Sequence, residues 1–410
     1  MAARGKSGHS LPSNRRFGSI LNNDINNILI ACSGARTTRA EYAKAVEALL
    51  LGKPGVLAQN VGMPDPVIYK TAVATTFDKH IVEATRQTWP TSKPSGAEAQ
   101  AGVMAALFSA GTDPLRITVE VCRKHGVPIV ASYRMNAEDW YKNTWRLSDF
   151  GRAHPDARIP GTGALDPANP IVFEHRRSLF REAADNYDID GIEFDYMRWT
   201  HMISDPHRNH EILTREVRET RRMLDEVAGR KRRRKLLLGV RVGYSLDGPP
   251  AGKSDFSCKD LGLDVRTWIA ENLIDYICPS YFWGYVPSMP KTREFVDLAK
   301  GHDAGIYPTV FPYAQWQADP ARTRIDPADT VAMKRLRDDI LKDALQGYAD
   351  GADGISTFNW VHHHQPGMVT EPMRDDWGLG SKKVQMAVHP LLRNPRKLKA
   401  ALTKDSPDRI

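Results

Sequence analysis

Two acids stand two residues apart in DIDGIEFDYMRW, Asp188 to Trp199, inside a segment otherwise apolar enough for a buried strand. Burial makes a charge expensive, so Glu193 and Asp195 need either compensation or a use. Strand alternation sends Ile192 and Phe194 to one face and the two acids together to the other. Arg134 and Arg241 have the same parity on flanking strands, because their apolar neighbours face away. Two guanidinium groups beside two carboxylates would keep at least one acid ionised and oriented. An ionised, oriented carboxylate is what a nucleophile or a general base requires. The blander outcome for the same residues is a buried ion network of Arg134, Glu193 and Arg241 with no chemistry.

The elements that must position these groups are legible as alternating strands and helices. FGSILNN comes first, and Thr38-Arg39-Ala40-Glu41 is a capping box opening a helix through Leu51. GVLAQNVG (55–62) is the second strand, a helical region between Ala97 and His125 follows, and VPIVASYRMN is the third strand. DGIEFDYM is the fourth, with a helix from about Pro206 to Gly229 after it. LLLGVRVGY (236–244), IDYICPSYF (274–282), GIYPTVFPY (305–313) and DGISTFNW (353–360) are the fifth to eighth strands, with helices VRTWIAENL and Thr330 to Tyr348 among them. Pro308 and Pro312 lie inside or beside the seventh, where a missing N–H interrupts pairing. Eight strands separated by helices predict an α/β fold of parallel strands with right-handed crossovers, closed as a (β/α)8 TIM barrel. The expected organisation is a basic arm at 1–16, a barrel over 17–380 and a basic tail at 381–410, with a short helix around Val388 to Leu402.

A barrel of this kind carries chemistry at the C-terminal ends of its strands. Those ends are polar and aromatic here: Asn22, Asn23 and Asp24; Arg134, Asn136, Glu138, Asp139 and Trp140; Glu193, Asp195, Arg198 and Trp199; Arg241, Tyr244 and Asp247; Tyr281, Phe282 and Trp283; Tyr313 and Trp316; Asn359 and Trp360. Flat indole and phenol faces suit the apolar C–H faces of sugar rings, and Asn22, Asn136, Gln315 and Asn359 suit their hydroxyls. Paired Asp/Glu carboxyls are the usual machinery of glycosidic cleavage. The expected roles are Asp195 as nucleophile or general base and Glu193 as its partner or orienter. Asp139 or Asp247 would be proton donor, as acids just beyond the strands next to the fourth. Burial against Trp140 would raise the proton affinity of Asp139. The expected substrate-binding set is Asn22, Asp24, Arg134, Asn136, Trp140, Arg198, Trp199, Arg241, Tyr281, Trp283, Asn359 and Trp360.

Through FGSILNND, SYRMN, YDIDGIEFDYMRW, WIAENLIDYICPSYF and GADGISTFNW, in order over about 17–360, the chain resembles the glycosyl hydrolase-like barrels grouped as family 10-like glycosylhydrolases. The resemblance implies hydrolysis of a glycosidic bond in an oligo- or polysaccharide, with the fourth-strand D-G-x-x-x-D as the catalytic strand and Asp195 in its last position. The pattern is also similar to the D-G-x-D-x-D-x-E strand of chitinase-like barrels, but Met197 stands where their final acid would be, which disfavours substrate-assisted chemistry. Relatives often carry an Asp straight after the third-strand Asn, where this chain has Ala137 and offers Glu138 or Asp139. Two other functions fit the same residues: a carbohydrate-binding barrel without turnover, and a metal-dependent sugar isomerase or lyase using His362-His363-His364 with Asp195 or Glu193. No HExxH pattern is present and neighbours in a run do not share a face, so no metal and no cofactor is expected.

Composition narrows the partners. The formal charge of +8 is local, since Arg230–Lys235 carries six positives and residues 381–410 a net +6, leaving −4 for the rest. No nucleic-acid partner is expected; the run suits the C-terminal end of a helix. No stretch of about 18 apolar residues exists to span a bilayer, so no membrane partner is expected. Cys32, Cys122, Cys258 and Cys278 are too dispersed for a zinc motif or disulfide framework. Arg15-Arg16-Phe17 before Leu29-Ile30-Ala31-Cys32 outlines a twin-arginine lipoprotein signal, but Asn22, Asn23, Asp24, Asn26 and Asn27 interrupt its apolar stretch. A cytoplasmic location is expected; oligomeric state is not legible.

Overall fold

The computed structural model describes residues 17–88, 95–135, 147–197, 202–233, 235–249, 256–281, 289–311, 325–326, 328–360 and 379–403. Its strands are β1 (Ser19–Asn23), β2 (Val56–Gly62), β3 (Ile129–Arg134), β4 (Gly191–Asp195), β5 (Leu237–Val242), β6 (Tyr276–Pro279), β7 (Gly305–Ile306), β8 (Thr309–Val310) and β9 (Ile355–Phe358). All pair in parallel in the order β7-β6-β5-β4-β3-β2-β1-β9-β8.

The two ends of that sheet are halves of one strand. Pro308 has no N–H to donate, so the seventh strand breaks at Tyr307-Pro308. Gly305–Ile306 pairs with β6, and Thr309–Val310 pairs with β9. The break is bridged by Asp353 N donating to Ile306 O (3.0 Å) and Ser356 N donating to Pro308 O (3.0 Å). The sheet thereby closes into the expected (β/α)8 barrel, with the seventh stave split into β7 and β8.

Two apolar clusters follow from strand alternation. The larger joins the outward residues, such as Leu57, Val61, Ile192, Phe194, Leu238 and Val240, to the helices around the sheet. The smaller fills the lower lumen with Phe17, Ile20, Val56, Ala58, Val130, Leu237, Tyr276, Cys278 and Tyr307. Phe17 stacks on Tyr307 at 6.0 Å and meets Tyr276 edge-on at 6.2 Å. A dry aromatic floor therefore lies beneath whatever the upper lumen holds.

The helices start where their caps direct. Thr38 Oγ1 accepts from Glu41 N (3.1 Å) to open Arg39–Leu50. Only half of the expected capping box forms, because the Glu41 carboxylate turns to Ser33 N (2.8 Å) instead. The helical region between Ala97 and His125 is two helices, Ser95–Ser109 and Pro114–His125, divided at Gly111 (φ 79°) and restarted by the Asp113 cap. The C-terminal segment is likewise in pieces: Leu379–Val388, a turn at His389–Leu391 and Pro395–Thr403 replace the single helix expected from Val388, since each proline opens a new element. It docks through buried Val384, Val388, Leu392 and Leu398. His389 is buried with it, sharing bonds with Gly52 O (2.7 Å) and Thr357 Oγ1 (3.2 Å), and burial pushes its pKa down to about 4.

The basic run is engaged rather than merely solvated. Lys231 Nζ donates to Ala184 O and Tyr187 O, closing the end of the helix Pro170–Asn186, and Arg233 pairs with Asp188 and Asp190. No described helix is long and apolar enough to cross a membrane.

Candidate active site

Above the aromatic floor the lumen turns polar, and its centre is β4. Glu193 is fully buried and held by three donors. Asn22 Nδ2 and Ser132 Oγ (2.8 Å) donate to Oε1, and Tyr276 OH (2.9 Å) donates to Oε2. Tyr276 reaches this position because β5 has Gly239 beside it, where any Cβ would collide with the phenol ring. Burial, and next the charge of Asp195, push the Glu193 pKa up to about 7, against the lowering effect of Ser132, Tyr276 and Arg241.

One step nearer the mouth, Asp195 is 1% exposed. Arg241 Nη1 lies 3.0 Å from both of its oxygens, and Met197 N donates to Oδ1 (2.9 Å). Arg241 is fixed in turn by Ser280 Oγ (3.0 and 3.2 Å) and by the Phe358 ring beneath its guanidinium (3.9 Å). The carboxylate is thus held by a cation that cannot itself move freely.

Arg134 is luminal but serves a different acid. It forms an ion pair with Asp24, across β2, rather than with either acid of β4. Asp24 is the N-cap of the helix Ile25–Ile30, accepting from Ile25 N (2.7 Å), and Asn359 Nδ2 reaches its second oxygen (3.2 Å). Asn359 Oδ1 accepts from Asp24 N and Asn27 Nδ2 (3.1 Å each), so the ends of β1 and β9 are tied together.

Several residues take places that alternation alone would not assign. Trp360 is buried in the outer core, donating to Val310 O (3.4 Å) and packing edge-on against His389 (5.3 Å). Asn359 has a left-handed backbone (φ 54°), which breaks the alternation that keeps Phe358 luminal and turns the indole outward. Asp247 stands apart from the β4 acids. Its side chain is 52% exposed and paired with Arg266, and it lines a surface groove of about 450 Å³ with Lys291, Glu294 and Asp297. Tyr281 stacks on Tyr244 at 4.9 Å and donates to Met289 O (3.4 Å). Asn136, Glu138, Asp139, Trp140, Arg198, Trp199, Phe282, Trp283, Tyr313, Gln315, Trp316 and His362–His364 lie outside the described residues. Among the described residues, no three His, Cys, Asp or Glu side chains are grouped to hold a metal ion.

Sequence reasoning passed over Ser132, Tyr276, Ser280 and Asn60, which the structure brings into the lumen. Gly239, a glycine inside a strand of large apolar residues, was the available signal for Tyr276. Ser132 and Ser280 share parity with Arg134 and Cys278 but carry no sign of their partner.

Solved structures similar to this chain include glycoside hydrolases. Alpha-L-fucosidase isoenzyme 2 from Paenibacillus thiaminolyticus is 11% identical with a TM-score of 0.46; the match covers 92% of this chain and 50% of the fucosidase chain. A GH18 chitinase from Cycas revoluta is 9% identical with a TM-score of 0.45, covering 92% of this chain and 99% of the chitinase. The glycoside hydrolase domain of PgaB (BpsB) from Bordetella bronchiseptica is 11% identical with a TM-score of 0.45, covering 88% and 99%. No family model and no curated protein matches the chain.

Proposed function

We propose that this barrel hydrolyses a glycosidic bond in a carbohydrate, as the motif likeness to family 10-like glycosylhydrolases implies. One observation carries the reading: two carboxyls share the luminal face of β4 in opposed environments. Asp195 is paired with Arg241, whereas Glu193 is buried and retains a proton up to about pH 7. Environments that split two carboxyls in this way divide the work into an anion and a proton-holding partner. Asp195, nearer the mouth, acts as nucleophile or as base toward water. Glu193 orients it from below, and the leaving-group oxygen takes its proton from a further acid, for which the sequence offers Asp139.

Asp195→Asn tests this on a panel of aryl glycosides and oligosaccharides. The expected outcome is loss of turnover by about a thousandfold or more. Undiminished turnover would falsify the assignment of Asp195.

A second reading, a carbohydrate-binding barrel without turnover, is favoured by the engagement of both Asp195 oxygens with Arg241. It predicts that the wild type binds oligosaccharides without cleaving them and that Asp195→Asn leaves affinity unchanged.

A further inference from the structure

Among the described residues, Asn60 is the one luminal amide for which neither end has a partner. Leu57 and Val61 belong to the outer core, and Gln59 accepts from Asn23 Nδ2 (2.9 Å) on that same face. Ala58 belongs to the luminal cluster, so Asn60, two residues further toward the mouth, is luminal too. It is 1% exposed, and neither Oδ1 nor Nδ2 has a hydrogen-bond partner. A buried amide left in this condition costs stability, so folded proteins rarely retain one without a use.

Its neighbours define what it faces. Register places Asn60 beside Ser132, whose hydroxyl holds Glu193, and β2 bends immediately afterwards at the irregularity between Asn60 and Gly62. On the other side Asn22 pairs in register with Ala58, which puts Asn22 and Asn60 on one face, Cα atoms roughly 8 Å apart by strand spacing and rise. Asn22 spends its Nδ2 on Glu193, and its buried Oδ1 has no partner. Two open acceptors and one open amide donor therefore converge beside the β4 acids.

We propose that Asn60, together with Asn22 Oδ1, is a specificity-determining subsite that binds hydroxyl groups of a neutral sugar ring seated next to Glu193 and Asp195. The inference rests on the reading of the barrel as a carbohydrate site and deepens it. Hydroxyls fit because each can donate to an Oδ1 and accept from the Asn60 Nδ2. Among the described residues the luminal charges are Asp24, Glu193 and Asp195 against Arg134 and Arg241, both arginines already paired, so a uronate carboxylate would meet no free cation among these groups, which favours a neutral sugar.

The test separates binding from turnover. Binding of 4-nitrophenyl glycosides of neutral hexoses and pentoses, with the matching glucuronide as control, is measured by calorimetry on Asp195→Asn protein with and without Asn60→Ala. The expected result is binding of at least one neutral glycoside, weakened about tenfold or more by the second substitution, with the glucuronide binding less well. Unchanged affinity on adding Asn60→Ala, no binding by any neutral glycoside, or preference for the glucuronide overturns the inference. Thermal midpoints of ligand-free Asn60→Ala and Asn60→Leu exclude a merely structural amide. At least one should match or exceed the wild type, whereas clear losses in both would make Asn60 a structural group and overturn the proposal. If the binding pattern holds while wild-type protein turns over none of the glycosides, glycosidase function fails and the subsite stands.

Discussion

Arg241 and Asp195 form a fully buried ion pair in which one guanidinium nitrogen sits 3.0 Å from both carboxylate oxygens. Each partner has given up its hydration, so the stability effect of the pair depends on keeping it whole. Arg241→Met should cost about 3–5 kcal/mol in urea unfolding at pH 7, because it strands a buried carboxylate above a second one. Combining it with Asp195→Leu should recover most of that loss, since apolar replacement of a whole pair is close to neutral. A cost under about 1 kcal/mol for the single substitution would show that the pair is not dry.

Glu193 makes stability fall with rising pH. Its pKa is about 7 in the folded protein against an ordinary 4.5, so between those values the folded state binds more protons than the unfolded state. Its contribution is fully present below pH 4.5 and is lost as pH rises through 7. Glu193→Gln keeps an acceptor for Asn22 and Ser132, and Tyr276 can turn its hydroxyl to accept. This variant should therefore gain on wild type as pH rises from 4.5 to 8, by at most about 3 kcal/mol. Asp195→Asn should move the window downward by removing the neighbouring charge. A wild-type minus Glu193→Gln difference that is flat across this range would contradict the burial-driven shift.

How much of this was legible depended on the kind of signal. Alternation of Ile192 and Phe194 with Glu193 and Asp195 needs only the period of a strand, and Arg241 follows by the same rule. Pairing is another matter. Arg134 has the right parity to meet Asp195, yet barrel curvature brings it to Asp24, a helix cap whose position depends on how β1 ends. Trp360 obeys no alternation because a left-handed Asn359 precedes it, and a lone Asn in a strand does not announce its φ. Asn60 is unmarked in GVLAQNVG because an amide beside Gln59 reads as a strand end, and only coordinates show that one is bonded and the other is not.

Gly239 controls Glu193 through Tyr276. A Cβ at position 239 would occupy the space of the Tyr276 ring, so Gly239→Ala must displace the phenol that donates to Glu193 Oε2. The expected cost is about 1–3 kcal/mol from overpacking, and the proposed turnover would fall with it because the β4 acids lose their support. Tyr276→Val opens the space. Gly239→Ala with Tyr276→Val should be less destabilised than the two single losses added together, by 0.5 kcal/mol or more on a denaturation double-mutant cycle, a size on the order of contacting pairs. Strict additivity would mean that the ring and the glycine do not meet.

Asp24 separates a cap from a charge. Its carboxylate opens the helix Ile25–Ile30 and also neutralises Arg134, which is 1% exposed. Asp24→Asn can keep its oxygen as the acceptor for Ile25 N, but it turns an amide donor toward Asn359 Nδ2 and removes the negative charge, so the buried Arg134 guanidinium loses the Asp24 carboxylate. That change alone should cost about 3–5 kcal/mol. Asp24→Ala removes the cap as well and should cost about 1 kcal/mol more. Arg134→Met in the Asp24→Asn background should restore stability, because the stranded charge is then gone, while leaving the cap in place. If Asp24→Asn unfolds at the wild-type denaturant concentration, Asp24 acts on the helix alone and the Arg134 charge is satisfied from elsewhere in the barrel mouth.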